Sequence, residues 1–261
     1  MSEFELKESH LLFARQFQCI ETIFLPEKDL IINMDETAVF YEPELKTTYV
    51  NKGNEDLTLG KKKVSVKTTG QTNKCSALLA VSFSGEKLMP LIVFQAKASQ
   101  GKVFKDAQNF DSRAAYVVSE KGFCNTFVML EWIRLCLKPY LESKGGGANG
   151  KLSIVMMDNF GAHSTRPVLQ ALSEIGVMLL PLPANTTCVT QVLDVGINAP
   201  FKAHYKNLYT AWMAEQADLL KARVSRKLCS DWMAASWEKV SQDSIVNTVK
   251  KIFVDVLSMD R

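Results

Sequence analysis

Three short stretches hold residues whose types and spacing could do chemistry: Asn33-Met34-Asp35-Glu36-Thr37, Met156-Met157-Asp158-Asn159-Phe160-Gly161-Ala162-His163, and Thr190-Gln191-Val192-Leu193-Asp194-Val195-Gly196. In the first two, an acid closes a run of apolar, β-prone residues, Leu30-Ile31-Ile32 and Leu152 to Met157. Such an acid sits where a buried strand emerges at a sheet edge. Thirty-five residues separate Asp158 from Asp194, and Asp194 is an acid set among apolar neighbours. Carboxylates brought to one point repel, and one takes up a proton unless a cation neutralises the set. Magnesium does so with oxygen ligands while keeping waters for exchange. Two such ions, roughly 4 Å apart, activate a water or sugar hydroxyl and stabilise the leaving oxygen in an in-line displacement at phosphorus.

The ordinary alternative for each acid is a helix cap or a turn former. Around the acids, Glu36 adjoins Asp35 and is a candidate ligand or outer partner, ranked below the three aspartates because it points to the opposite face of a strand. Asn159 and Gln191 are polar neighbours placed to hydrogen-bond the acids, as outer partners of metal ligands do. His163 suits either the orientation of a phosphate or water, or capping of the next helix.

The elements that must position these groups follow from periodicity. Residues 1–28 read as an amphipathic helical lead-in, with Leu11, Leu12, Ala14, Phe17 and Ile20 on one face, ahead of a first strand from Leu30 to Met34. Short alternating segments at 47–50, 64–70, 76–83 and 91–94, parted by turn residues such as Ser84-Gly85-Glu86, predict an antiparallel meander. The spacing over 125–143 predicts a helix capped by Asn125, with Phe127, Leu130, Ile133, Leu137 and Leu141 inward, broken or shortened at Pro139. After the glycine-rich 145–150 come strand 153–157, helix 166–175 and strand 177–182, a βαβ unit. Helices are expected over Pro200 to about Leu220 and within Trp232 to Leu257. The fold class is α/β: a mixed sheet flanked by helices over 29–200, with a helical C-terminal part, 201–261, of the same domain.

Composition bounds the rest. A chain of 261 residues with 47% apolar content can bury a large core, which excludes disorder as the starting assumption. A net charge of +3, from 31 basic and 28 acidic residues, does not by itself point to a polyanion. Six dispersed cysteines without a Cys-x-x-Cys pair fit neither a zinc site nor a disulfide scaffold. With no signal-peptide pattern and no run of roughly twenty apolar residues, the expectation is an intracellular chain without a membrane partner, nuclear if it meets DNA. Basic residues cluster at Lys61-Lys62-Lys63 and, one turn apart, at Lys202 and Lys206; these are candidates for DNA-backbone contacts, with a solvated face as the plain alternative.

The order of Asn-Met-Asp-Glu-Thr, Met-Asp-Asn-Phe-Gly-Ala-His and Gln-Val-Leu-Asp-Val-Gly-Ile-Asn-Ala-Pro-Phe-Lys resembles the catalytic domain of pogo and tigger transposases, the DDE superfamily endonuclease domain with a ribonuclease-H-like fold. Val64-Ser65-Val66, the Gly85–Phe94 stretch, and Lys121-Gly122-Phe123 with Glu131-Trp132 extend the likeness over roughly residues 30–255. The resemblance implies that Asp35, Asp158 and Asp194 are catalytic and hold two Mg²⁺ or Mn²⁺ ions, with Asp in place of Glu as the third acid. It implies DNA as partner, with assembly of copies on the DNA left open, and phosphodiester cleavage leaving 3′-hydroxyl ends. Two departures stand out: Val192 replaces the usual proline before Leu-Asp, and the usual N-terminal helix-turn-helix is not found. The alternatives are a domesticated, non-catalytic DNA- or chromatin-associated protein, and a nuclease of RNA–DNA hybrids.

Overall fold

The computed structural model describes residues 1–43, 73–96, 107–159, 161, 164–216 and 222–258. Helix α1 (Glu3–Phe24) opens on a capping box in which Ser2 and Glu5 satisfy each other's backbone N–H groups. A 3₁₀ turn (Lys28–Leu30) then leads into strand β1 (Ile31–Phe40). Strands β2 (Lys74–Ser82), β3 (Leu91–Gln95) and β4 (Ala115–Ser119) follow, then helix α2 (Thr126–Trp132), a π segment (Ile133–Leu137) and α3 (Lys138–Ser143). Strand β5 (Ser153–Met157), α4 (Arg166–Glu174) and β6 (Val177–Pro181) come next. The rest is helical: α5 (Thr187–Thr190), a π turn (Leu193–Ile197), α6 (Asn198–Ala214), α7 (Arg226–Glu238), α8 (Gln242–Lys250), a π segment (Lys251–Asp255) and α9 (Val256–Ser258).

The six strands form one sheet in the order β4-β3-β2-β1-β5-β6. The meander is real for β1, β2 and β3, which pair antiparallel, while β1 with β5, β5 with β6 and β3 with β4 are parallel. Strands expected at 47–50 and 64–70 lie outside the described residues. The β5-α4-β6 unit stands where its periodicity placed it.

Three expectations are corrected. Strand β1 does not stop at Met34 but runs to Phe40, because pairing with β2 continues unbroken from Ile32↔Ser82 to Phe40↔Lys74. Asp35 is therefore in mid-strand. Strand β4 carries no strong alternation and was not foreseen; it is held by its parallel partner β3. Pro139 does not break its helix. The π segment before it widens the turn that contains residue 135, the carbonyl a proline ring at 139 would otherwise strike.

Both faces of the sheet are covered. On one face, Ile31, Val39, Ala77, Leu79, Ile92, Phe94, Ile154 and Met156 pack beneath α1 and the C-terminal helices, in a core with Phe17, Phe201, Tyr205, Trp237 and Phe253. On the other, Ile32, Met34, Leu78, Val93 and Val155 meet Val128, Met129, Trp132 and Leu137 of α2 and the π segment, and Val168 and Leu172 of α4. Asn125 does cap α2, its Oδ1 accepting the N–H of Val128 at 3.0 Å. From α2 through α3 the buried stripe is Val128, Met129, Trp132, Ile133, Cys136, Leu137 and Leu141, so Ile133, Leu137 and Leu141 are inward as expected, Leu130 is half-buried and Phe127 is exposed. In α1 the buried set is Phe13, Ala14 and Phe17, with Leu12 outward.

Candidate metal centre

Alternation along β1 decides where each acid of Asp35-Glu36 points. Ile31 and Val39 belong to the core under the C-terminal helices, so Asp35 enters that layer. Ile32 and Met34 face the other, and Glu36 with them. There both Glu36 oxygens accept the backbone N–H of Cys124, at 3.2 and 3.3 Å. Glu36, expected as an outer partner of the acids, is corrected: alternation turns it to the opposite face of the sheet from Asp35.

Strand register brings in the second acid. Strands β1 and β5 run parallel with Asn33 opposite Met156, so counting on two residues sets Asp35 level with Asp158, just past the end of β5. Neighbouring strands lie about 4.8 Å apart.

The π turn Leu193–Ile197 delivers the third, its wide loop closed by the Asn198 N–H on Leu193 O. The turn is anchored from below by two fully buried amides. Asn33 Nδ2 donates to Gln191 Oε1 at 2.6 Å, Gln191 Nε2 to Met34 O at 2.9 Å, and the Leu193 N–H to Asn33 Oδ1 at 3.3 Å. Gln191 therefore braces the backbone under Asp35 and the turn bearing Asp194.

Above that network, Asn198 Nδ2 donates to Asp35 Oδ2 at 2.8 Å and to Asp194 Oδ1 at 3.0 Å. Asp35 is buried and Asp194 exposed. Burial pushes the Asp35 carboxyl up to about 7, and the charge of Asp194 pushes the same way. The amides of Asn198 and Gln191 pull it down, and Asp158 adds a weaker push. Asp158 is also felt across β1. It and, more strongly, Glu36 add to the burial that pushes the Cys124 thiol up to about 12.

The site thus joins Asp35 to Asp194 through one neutral amide, with Asp158 at hand. Among the described residues, no three carboxylates, imidazoles or thiols gather as one ready ligand set. Bare carboxylates repel, and an amide lies between Asp35 and Asp194. The donors nevertheless suit a hard divalent cation. All are oxygens, and Asn198 Oδ1 is buried beside the acids without a hydrogen-bond partner. Asp35, Asp158 and Asp194 are the residues that would hold it.

Asn159 ties the strand ends together, donating to Leu182 O at 2.8 Å, and does not reach across to an acid by that bond. His163 and Lys61-Lys62-Lys63 lie outside the described residues. Lys202 is exposed and Lys206 half-buried, following Asn198 at intervals of four on α6. Sequence reasoning missed Asn33 and Asn198 as site residues. Each is a polar residue inside an apolar run, which was the available signal. Away from the acids, Lys74 with Arg226, Asn73 and Gln95 lines a polar recess past the C-terminal end of β1, beside Tyr41.

A mixed sheet covered on both faces, with one acid within its central strand, a second just past the end of the neighbouring parallel strand and a third on the turn beside them, defines the ribonuclease-H-like class. The model of the DDE superfamily endonuclease family matches residues 71–248, and the chain belongs to that family. The matched span includes Asp158 and Asp194 and begins after Asp35. A human protein described as pogo transposable element with KRAB domain is 24% identical over 228 residues, covering 85% of this chain and 35% of its own length. Its mouse counterpart is 22% identical over the same extent. The chain spans about a third of the length of these curated relatives. Among solved structures, the catalytic domain of Mos1 mariner transposase is 12% identical with a TM-score of 0.52, over 100% of this chain and 95% of that one. The Mos1 paired-end complex with the left transposon end gives 14% and 0.57, over 100% and 63%. At such identities the likeness is one of fold.

Proposed function

We propose that this chain is the catalytic domain of a pogo-like transposase, hydrolysing DNA phosphodiester bonds to leave 3′-hydroxyl ends that can attack a target strand, in the nucleus. The observation that carries the reading is the joining of Asp35 and Asp194 through Asn198, with Asp158 level with Asp35 on the neighbouring strand. Family membership supports the same chemistry.

Asp35, Asp158 and Asp194 would hold Mg²⁺ or Mn²⁺, which supplies charge neutralisation and an activated oxygen nucleophile when bound. The chain's own residues do the rest. Asp35 presents its carboxylate from a dry strand, where electrostatic attraction is strong, and Asp194 presents its own from the solvent side. The Asn33–Gln191 network fixes the distance between the strand and the π turn that carry them. Lys202 and Lys206, on the helix that leaves the site, would neutralise backbone phosphates irrespective of base sequence. Three acids kept in place favour an active enzyme over a derivative that only binds DNA.

The test is strand nicking of duplex DNA with Mg²⁺ or Mn²⁺. Asp158→Asn should abolish it while circular dichroism shows the fold intact. Equal cleavage by that variant would overturn the assignment.

A further inference from the structure

We infer that Asn198 is a positioning residue of this centre, a neutral brace that holds Asp35 and Asp194 side by side with one oxygen of each left to a cation. The inference rests on the metal-site reading above and deepens it. Ionised carboxylates only accept hydrogen bonds, so with both acids charged, as they are when they hold a cation, the NH₂ end of the amide must face them. It reaches Asp35 Oδ2 and Asp194 Oδ1, at 2.8 and 3.0 Å, leaving Asp35 Oδ1 and Asp194 Oδ2 outside the brace. The i,i+4 step from Asp194 to Asn198 spans the π turn, which sets both side chains on one side of the chain.

A packing role alone does not account for this residue. Asn198 is 7% exposed, and its Oδ1 has no partner, a costly arrangement that an apolar side chain of equal size would avoid. Its neighbours in the same helical stripe, Ile197, Phe201 and Tyr205, fill the core instead. The amide is where two like charges would otherwise be in direct repulsion, and it is uncharged, so it does not compete with a cation for net charge at the site. Groups that hydrogen-bond metal ligands in this way orient them and strengthen binding.

The experiment compares wild type, Asn198→Leu and Asn198→Asp by circular dichroism, by melting in a chelator, and by Mn²⁺ titration followed by electron paramagnetic resonance. The leucine variant keeps the volume and removes the brace; it should bind Mn²⁺ about 10–100-fold more weakly while folded. The aspartate variant puts a third anion against the pair. It should melt below wild type without metal and gain more than wild type when Mn²⁺ is added. Mn²⁺ affinity equal to wild type in the leucine variant would reduce Asn198 to a space-filler. If wild type itself bound no Mn²⁺, the metal-site reading would be the one to fail, and the chelator melts would still judge the brace. An aspartate variant as stable as wild type there would overturn it. Should the leucine variant not fold, Asn198→Ser takes its place in the titration, with the same outcomes.

Discussion

Thr248 of α8 lies so close to Gly196 of the π turn that a Cβ on the glycine would stand 2.1 Å from its Oγ1 and 2.9 Å from its Cγ2. The backbone of the turn bearing Asp194 is thus pressed directly against a C-terminal helix. Gly196→Ala should force the two apart and destabilise the fold by about 1–3 kcal/mol, as overpacking does. Thr248→Ala, which removes the two nearest atoms, should recover part of the loss. Urea denaturation of both single variants and the double variant measures this; no recovery in the double variant would show that the contact is not the cause.

The Asp35 carboxyl, raised to about 7 from an ordinary 3.8, makes stability depend on pH in a defined direction. Between those values the folded chain holds a proton that the unfolded chain gives up. The contribution is therefore present in full below about pH 4 and is lost as pH rises through 7. Melting in a chelator should show this decline, and Asp35→Asn should flatten it. A profile of the same slope in the variant would assign the titration to another group.

Asn33 and Gln191 are buried amides that satisfy each other at 2.6 Å. Asn33→Leu or Gln191→Leu alone strands the partner and should cost about 1–3 kcal/mol. The double variant should lose less than the sum of the two. A double-mutant cycle by denaturation reads the coupling directly, and strict additivity would show the pair to be independent.

Lys87 ties the hairpin between β2 and β3 to the C-terminal end of α7. Its Nζ donates to the carbonyls of Trp237, Glu238 and Val240 at 2.9, 2.7 and 2.7 Å, capping α7 from the hairpin between β2 and β3. Lys87→Met should lower stability by about 1.5–3 kcal/mol, the range for bonds to a charged donor, and leave Mn²⁺ affinity unchanged. Calorimetric melting and the Mn²⁺ titration together separate this structural role from any part in the site.

The amino-acid sequence by itself determined much of the frame. Apolar runs of strand length marked β2, β3, β5 and β6, a 3.6-residue period marked the long helices, and Asn125 announced the start of α2, because these features depend on neighbours a few residues away. The order and setting of Asp35, Asp158 and Asp194 were legible for the same reason. Tertiary structure decided the rest. Strand β1 runs past Asp35 only because β2 pairs with it, and β4 exists only beside β3. Pro139 is tolerated because the helix widens ahead of it. Asn198 becomes the link between two acids because folding carries it to Asp35 across 163 residues of sequence. Hydrogen bonds and burial act through space, so the partner of a polar side chain, and with it the proton on Asp35, is settled only when distant segments meet.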